Sequence, residues 1–251
     1  MASHPPSLGD LRVATPADVL RIGIVATAGF RYSPIFRWER PHHEQYPEDT
    51  LLSYRTQFQN AMKSDDFIVL VQEDAYDPQE NDKTDAVIPS DNGWELPEAG
   101  AKVVVGVITI KLEPDSTRKG QMKDHRGSYP NLPDNPGRDL NRQHYDSWGA
   151  LVGATRKQNK LDGDSIVGMV VVHPAYWRRG HGTRLAAWAR DLSRLDQVPQ
   201  CVSSAPMSQG IFESLGFQKV CTIRAEGDED DLEGVSTELM EFGRVAALDN
   251  V

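Results

Sequence analysis

The chain has 251 residues, 37 acidic and 27 basic, which gives a formal net charge of −10. A surface with this excess of negative charge repels phosphate backbones and anionic lipid, so nucleic acid and membranes are excluded as first choices of partner. The length suits one elaborated domain whose core needs neither disulfides nor a structural metal.

The cysteines and the N-terminus indicate the compartment. Cys201 and Cys221 lie in apolar, strand-like segments, and two cysteines are too few for a disulfide framework. The first residues lack the basic and then apolar pattern of a signal peptide, and no segment reaches the roughly 18 apolar residues of a membrane helix. We therefore expect a soluble, cytoplasmic protein with a flexible tail at 1–10, a single domain over 11–245 and a second tail at 246–251.

The first elements are a short strand and two helices. A strand is predicted over 11–14, and the next helix has Thr15 as its N-cap, Pro16 at its first position and Asp18 three residues after the cap. A second helix is predicted from Pro47 to Lys63, where apolar residues recur at helical spacing. The aromatic, basic and histidine-bearing segment between the two helices is predicted to be a loop.

Two β-branched apolar runs predict buried strands over 67–73 and 103–112. The polar, aperiodic stretch between them, 74–101, is too long for an ordinary hairpin loop, so we interpret it as an insertion. A second insertion fills 113–164, and its second half carries an apolar stripe at helical spacing. From residue 165 the pattern is strand, glycine-bearing turn, helix, strand, short helix and two closing strands.

The glycine-bearing turn, Gly180-His181-Gly182, follows a strand and begins a helix. A helix start presents unpaired N–H groups and partial positive charge, and glycines let the backbone approach a phosphate closely. Arg178, Arg179 and Arg184 add positive charge. The turn therefore predicts an anion site, with a solvated basic turn as the alternative.

Two known phosphate motifs do not fit this turn. A Walker loop ends in Gly-Lys-Ser/Thr, whereas this chain has Gly-Thr-Arg. The dinucleotide fingerprint needs a third glycine at the position of Leu185.

Two segments together resemble the GNAT superfamily of acetyl-CoA-dependent N-acyltransferases. The family signature is Q/R-x-x-G-x-G/A, followed later by an aromatic residue and L-G-F, and this chain has WRRGHG at 177–182 and FESLGF at 212–217. Trp177 departs from the signature, which places Gln or Arg there. The resemblance implies an α/β (α+β) fold with a mixed, mostly antiparallel central sheet flanked by helices and interrupted by the two long insertions.

The resemblance also implies acetyl-CoA as the cofactor. Its pyrophosphate is expected on the amides of Arg178, Arg179, Gly180, His181, Gly182 and Thr183, and its pantetheine arm along Val170, Val171 and Val172. A backbone amide of that strand is expected to support the thioester carbonyl. Phe212 occupies the position of a tyrosine that the family often uses as an acid, so we place Phe212 at the cofactor, or else in the core.

The catalytic base is harder to assign, because the strand at 165–172 has no carboxylate where the family often has one. The candidates are His144, Ser204 and Ser208, or water. As alternatives, His144 faces the core or solvent, and the serines are ordinary strand-end and helix residues.

The resemblance implies that the loop between the first two helices helps to form the acceptor pocket, here through Phe30, Tyr32 and Trp38, unless these rings cap the sheet. No metal is expected, because adjacent histidines such as His42 and His43 diverge.

The predicted function is an N-acetyltransferase that transfers an acetyl group to the amine of a small molecule by direct attack. The alternatives are a catalytically silent acyl-CoA-binding protein and a protein or peptide N-acetyltransferase, and the acidic turn at 226–233 keeps the latter open. A homodimer also stays open.

Overall fold

The computed structural model describes residues 4–244, in which seven strands and six α-helices follow one another. The strands are β1 Leu11–Val13, β2 Phe67–Ala75, β3 Lys102–Lys111, β4 Ser165–Val172, β5 Gln200–Ser204, β6 Gln218–Ala225 and β7 Val235–Phe242. The helices are α1 Val19–Phe30, α2 Pro34–Glu39, α3 Pro47–Lys63, α4 Arg142–Gln158, α5 His181–Asp196 and α6 Pro206–Ser214. Short 3-10 turns lie at Pro16–Asp18, Glu80–Lys83 and Pro174–Tyr176.

The strands form one sheet in the order β1-β2-β3-β4-β5-β7-β6. Every neighbouring pair is antiparallel except β4 and β5, which run parallel. The predicted fold class, a mixed and mostly antiparallel sheet flanked by helices, is confirmed.

Side-chain alternation along the strands divides the core into two layers. In β2, Ile68 and Leu70 join a cluster with Leu185 of α5, whereas Val69 and Val71 join a cluster with α1 and α3. Because successive residues of a strand point to opposite faces, α5 covers one face of the sheet and the α1–α3 pair covers the other. Helices α2 and α4 extend the second layer over β5, β6 and β7.

The segment between α1 and α3 contains a helix where the sequence predicted only a loop. Ser33 accepts a hydrogen bond from the Ile35 N–H at 3.3 Å, and Pro34 occupies the first turn of α2. Six residues are too few for a recognisable helical repeat, so the Ser-Pro start was the available signal. Helix α2 lies on the sheet and ends at Glu39.

The insertions and tails differ in how they attach to the domain. Within the first ten residues, the Pro6 carbonyl accepts a hydrogen bond from the Trp188 indole at 3.2 Å, and Leu8 packs against the core. The second insertion ends in α4, as its apolar stripe predicts. The ends of the chain at 1–3 and 245–251, which include the predicted tail 246–251, lie outside the described residues. Within residues 4–244, the helices are too short or too polar to cross a membrane.

Candidate functional site

Strands β4 and β5 diverge in the middle of the sheet. Their parallel pairing covers three residues of each strand and ends at Val167 opposite Val202. Beyond that point, among residues 4–244, β4 pairs with β3 alone, although it is the central strand of the sheet. Gly168 is exposed and Val170 and Val172 are half-buried, so this part of β4 borders an open cleft.

Backbone geometry turns β4 polar groups toward this cleft. The His173 N–H donates to the Val105 carbonyl on β3 at 2.9 Å. Hydrogen-bonding direction alternates along an antiparallel strand, so the N–H and C=O groups of Val170 and Val172 point away from β3. An extended ligand could bond the Val170 N–H and C=O and the Val172 N–H as a further strand would.

A β-bulge at Gly168 bends the strand at the same place. Val167 pairs with Ile110 and Met169 with Thr109, which leaves Gly168 as an extra residue. The Met169 N–H donates to the Thr109 hydroxyl at 2.9 Å, and a Cβ atom at Gly168 would lie 2.8 Å from that oxygen. Glycine is needed here because the bulge brings β4 against the Thr109 side chain.

The glycine turn, residues 177–182, joins the end of β4 to helix α5. Arg178 has φ 63° and Gly180, the N-cap of α5, has φ 81°, so the chain is left-handed twice within three residues. Because Gly180 has no side chain, it cannot cap the first-turn amides of α5, which leaves them for a ligand or water. The helix dipole adds partial positive charge, so the turn has the properties of an anion site.

Basic side chains of the turn are held by the end of β2. Asp74 accepts from Arg179 at 2.9 Å and from His181 Nε2 at 3.0 Å, and Arg184 donates to His181 Nδ1 at 2.7 Å. Arginine can only donate, so Nδ1 of His181 is the acceptor and Nε2 carries the proton given to Asp74. Burial raises the pKa of Asp74, but hydrogen bonds from Ala75, Arg179 and His181 prevail and lower it, so Asp74 is ionised.

Trp177, the departure from the family signature, packs over the end of β4. Its indole Nε1 donates to the Val172 carbonyl at 2.7 Å, and its ring meets Tyr32 edge-on with centroids 5.0 Å apart. Gly29 of α1 approaches the same carbonyl so closely that a Cβ there would lie 2.7 Å from it. The structure therefore places Tyr32 beside the glycine turn.

The side chains of Ser204 and Ser208 meet at the C-terminal end of β5, where β5 has diverged from β4. Their hydroxyl oxygens lie 2.8 Å apart, with Ser204 at the last position of β5 and Ser208 in the first turn of α6. Ser208 also donates to the Ala205 carbonyl at 3.0 Å. Phe212, in contrast, is 1 % exposed and packs edge-on against Phe217, which corresponds to the core position named as its alternative.

Glu39 is a titratable group that the sequence analysis missed. It ends α2, whose Phe36 joins the cluster of Val171 and whose Trp38 joins the cluster of Cys201, so α2 bridges the layer over β4 and β5. Burial raises the pKa of Glu39 to about 7, although the neighbouring Arg40 opposes the shift. A carboxyl group with this pKa can exchange a proton at neutral pH.

His144 is tied at both ring nitrogens, which argues against its predicted role as a base. Nδ1 lies 2.8 Å from the Trp38 carbonyl and Nε2 lies 2.8 Å from Asp228, and the ring stacks on Trp38 at 3.7 Å. Burial lowers the pKa of His144, but the hydrogen bonds to Asp228 and Trp38 prevail and raise it. Both partners accept, so these contacts favour the cationic ring, in which both nitrogens donate.

His144, Asp228 and Asp230 also bring their ligand atoms within 4.8 Å of one another. Asp228 is occupied by His144, and Asp230 accepts from Asn141 at 2.8 Å. This cluster is thus explained by contacts within the protein.

A cavity of about 550 Å³ lies on the outer side of α2. Its walls are the segment 31–44, His144 and the acidic turn 230–233, so among the described residues its lining includes none from β4, β5 or α6. Trp38 lines this cavity, whereas Phe30 stacks on Tyr54 with ring centroids 5.4 Å apart. The three predicted acceptor residues therefore lie in three different places around α2.

Comparison with known proteins supports the assignment of the chain to a family of acetyltransferases. No family model matches the sequence. A curated acetyltransferase of Stachybotrys chartarum is 32% identical over 232 residues, which cover 91% of this chain and 88% of that protein. The chain belongs to the GNAT superfamily of acetyltransferases.

Solved structures show the same fold for this acetyltransferase. A mosquito arylalkylamine N-acetyltransferase like 5b superposes with a TM-score of 0.51 at 16% identity, covering 92% of this chain and 98% of that one. A histone acetyltransferase HPA2 and related acetyltransferase from Corynebacterium glutamicum gives a TM-score of 0.50 at 13% identity, covering 92% and 93%. The recognition of the family from two short motifs is thereby confirmed.

Proposed function

We propose that this acetyltransferase uses acetyl-CoA to acetylate the amine of a small molecule by direct attack. The observation that carries the proposal is the divergence of β4 from β5 directly before an uncapped glycine turn. An extended pantetheine arm fits the free edge of β4, and the diphosphate fits the helix start. The residues assigned to the cofactor are Val170, Val171, Val172, Arg178, Arg179, Gly180, His181, Gly182 and Thr183.

The cofactor is the acyl donor, and the residues of this chain orient and protonate the groups that react. The amine nitrogen bonds to the thioester carbonyl carbon and loses one proton to a base, while the carbon–sulfur bond breaks and the sulfur takes up one proton, so that the leaving group departs as a thiol. A main-chain N–H near Val170 is assigned as the donor to the carbonyl oxygen as it gains charge.

Glu39 is assigned as the base that removes the amine proton. A base with a pKa of about 7 is half ionised at neutral pH and accepts a proton well there. Ser204 and Ser208 are assigned to the leaving sulfur, because their paired hydroxyls lie at the cleft end of β5. His144 has no role in proton transfer in this proposal.

The silent acyl-CoA-binding alternative rested on the lack of a carboxylate in β4 and of a tyrosine at Phe212. In this proposal Glu39 of α2 supplies the carboxylate that β4 lacks. The protein-acetylating alternative finds support in the carboxylates beside the cavity, of which Glu233 has an 82 % exposed side chain. An assay of acceptors should therefore include a basic peptide beside the small amines.

The decisive experiment is thiol release from acetyl-CoA with a panel of acceptors. The panel contains arylalkylamines, because the mosquito protein of this fold is named for them, together with amino acids, diamines and a lysine peptide. Turnover on a small amine is expected. Acetyl-CoA binding without turnover on any acceptor would support the silent protein, and turnover on the peptide alone would support a protein acetyltransferase.

A further inference from the structure

We propose that residues 74–80, the start of the first insertion, form a brace that positions the glycine turn for the cofactor diphosphate. The inference rests on the proposed function, because it assigns a role in binding acetyl-CoA. It concerns positioning residues, which act through the turn and do not touch the reacting atoms.

The brace contacts the turn at three points in sequence order. Asp74 bonds Arg179 and His181, at 2.9 and 3.0 Å. The Asp77 N–H donates to the Tyr176 hydroxyl at 3.0 Å, and that hydroxyl donates to Glu80 at 2.9 Å. A seven-residue segment thus reaches the residue just before the turn and two residues within it.

The brace is itself anchored in the core. Glu80 is 2 % exposed and forms a two-pronged ion pair with Arg21 of α1. Arg21 in turn donates to the Val104 carbonyl of β3 at 2.8 Å and lies under the Trp94 ring. Bidentate pairs of this kind fix orientation, because both partners hold a planar geometry. Tyr176 is therefore held against a rigid support.

Tyr176 connects this rigid support to the turn. Its side chain is 0 % exposed and packs with Tyr76, Val103 and Val105. The Arg179 guanidinium lies over its ring at 5.1 Å. Tyr176 lies two residues before the left-handed Arg178, and a conformation such as that of Arg178 persists when its surroundings over-determine it. The brace supplies those surroundings.

The test distinguishes the contribution of the Tyr176 hydroxyl from the contribution of its ring. Tyr176→Phe keeps the packing and removes both hydrogen bonds to the brace. We expect the Kd and KM for acetyl-CoA to rise about tenfold, with kcat and the acceptor KM within twofold of the wild type. With S-acetylpantetheine, which lacks the diphosphate, the KM should not change.

Ser193→Ala is the matched control. Ser193 lies near the far end of α5 and donates to the Val198 carbonyl at 2.6 Å, so this variant loses a side-chain hydrogen bond but leaves the turn intact. Its Kd for acetyl-CoA should equal that of the wild type. An unchanged Kd in Tyr176→Phe, or an equal rise in the KM for S-acetylpantetheine, would overturn the proposal.

Asp74 provides a second test at a partly exposed position, should Tyr176→Phe fail to fold. Asp74→Ala removes every side-chain contact to the turn, whereas Asp74→Asn removes only the charge and keeps an acceptor oxygen. Positioning predicts a higher Kd for Asp74→Ala and recovery toward the wild type in Asp74→Asn. If both variants bind acetyl-CoA equally or more tightly than the wild type, Asp74 acts only as a nearby charge and the brace is disproved. Failure of the wild-type protein to bind acetyl-CoA would instead contradict the proposed function.

Discussion

The Trp177 indole donates a 2.7 Å hydrogen bond to the main-chain carbonyl of Val172. That carbonyl belongs to the part of β4 that has separated from β5. One of the acceptors that an extended ligand could use is therefore taken by a side chain, at the position where the family signature has Gln or Arg. In the proposed function, the pantetheine arm is therefore assigned to the remaining main-chain groups of the cleft.

Trp177→Phe tests this arrangement. The variant loses one hydrogen bond and should reduce the free energy of unfolding by about 1 kcal/mol. It also frees the Val172 carbonyl, so acetyl-CoA should bind at least as tightly as to the wild type, as measured by calorimetry. A Kd raised more than tenfold would mean that Trp177 itself holds the cofactor.

Gly182 allows steric and electrostatic effects at the glycine turn to be separated. A Cβ atom there would lie 3.5 Å from Ile211 and 3.7 Å from Val172, which are ordinary contacts. Gly182→Ala should therefore fold and keep its Kd for acetyl-CoA within about threefold. Gly182→Asp adds negative charge at the helix start and should weaken binding at least tenfold, or about 1.4 kcal/mol. Equal affinities in the two variants would place the diphosphate elsewhere.

Glu39 should control the rise of activity with pH. Its pKa of about 7 predicts that kcat/KM increases with pH up to about 7 and then levels off, when the acceptor amine is neutral across the range. Glu39→Gln should remove this rise and lower kcat about 10²- to 10⁴-fold. Glu48→Gln, at an exposed carboxyl in the first turn of α3, is the control and should keep the wild-type profile. A Glu39→Gln enzyme with normal kcat would assign the base to another group.

Glu39 also shows what the sequence could and could not predict. The bounds of α3 followed from its apolar spacing, and β4 followed from its valines, because burial periodicity is a local signal. The raised pKa of Glu39 depends on α2 packing over the sheet, and six residues show no such periodicity. The charge in "RWERP" was visible, but its burial was not.

Long-range ion pairs and hydrogen bonds were equally hidden. Arg21 and Glu80 are 59 residues apart in sequence, and Asp74 and His181 are 107 apart. Nothing local distinguishes these residues from solvent-exposed charges. The 74–101 insertion was recognised by its length and polarity, whereas its contacts with the glycine turn required the fold.

Phe212→Tyr distinguishes a core role from a catalytic one. The ring is 1 % exposed, so the added hydroxyl would be buried among apolar neighbours. Burying an unpaired hydroxyl costs about 1–3 kcal/mol, and urea unfolding should show a loss of this size without a gain in kcat. A higher kcat with unchanged stability would show that the new hydroxyl reaches the leaving sulfur.

The ion pair between His144 and Asp228 should make stability depend on pH. Because the pKa of His144 is raised in the folded protein, the pair stabilises the fold fully below the unfolded value of about 6.5, and this contribution is lost as the pH rises through the folded pKa. Asp228→Asn should therefore lower the unfolding temperature most at pH 5.5 and least at pH 9. Asp230 and Trp38 also face His144, but they are unchanged between the wild type and Asp228→Asn, so they do not contribute to the difference.

Glu233→Gln is the control for this pH dependence. Glu233 lies on the same turn but pairs with Arg37, which stays charged over the whole range. Its effect on the unfolding temperature should therefore be constant from pH 6 to pH 9. An Asp228→Asn effect that is equally constant would show that His144 is neutral in the fold. Because the turn 230–233 lines the cavity beside α2, loosening it at high pH should also alter any acceptor KM that depends on that cavity.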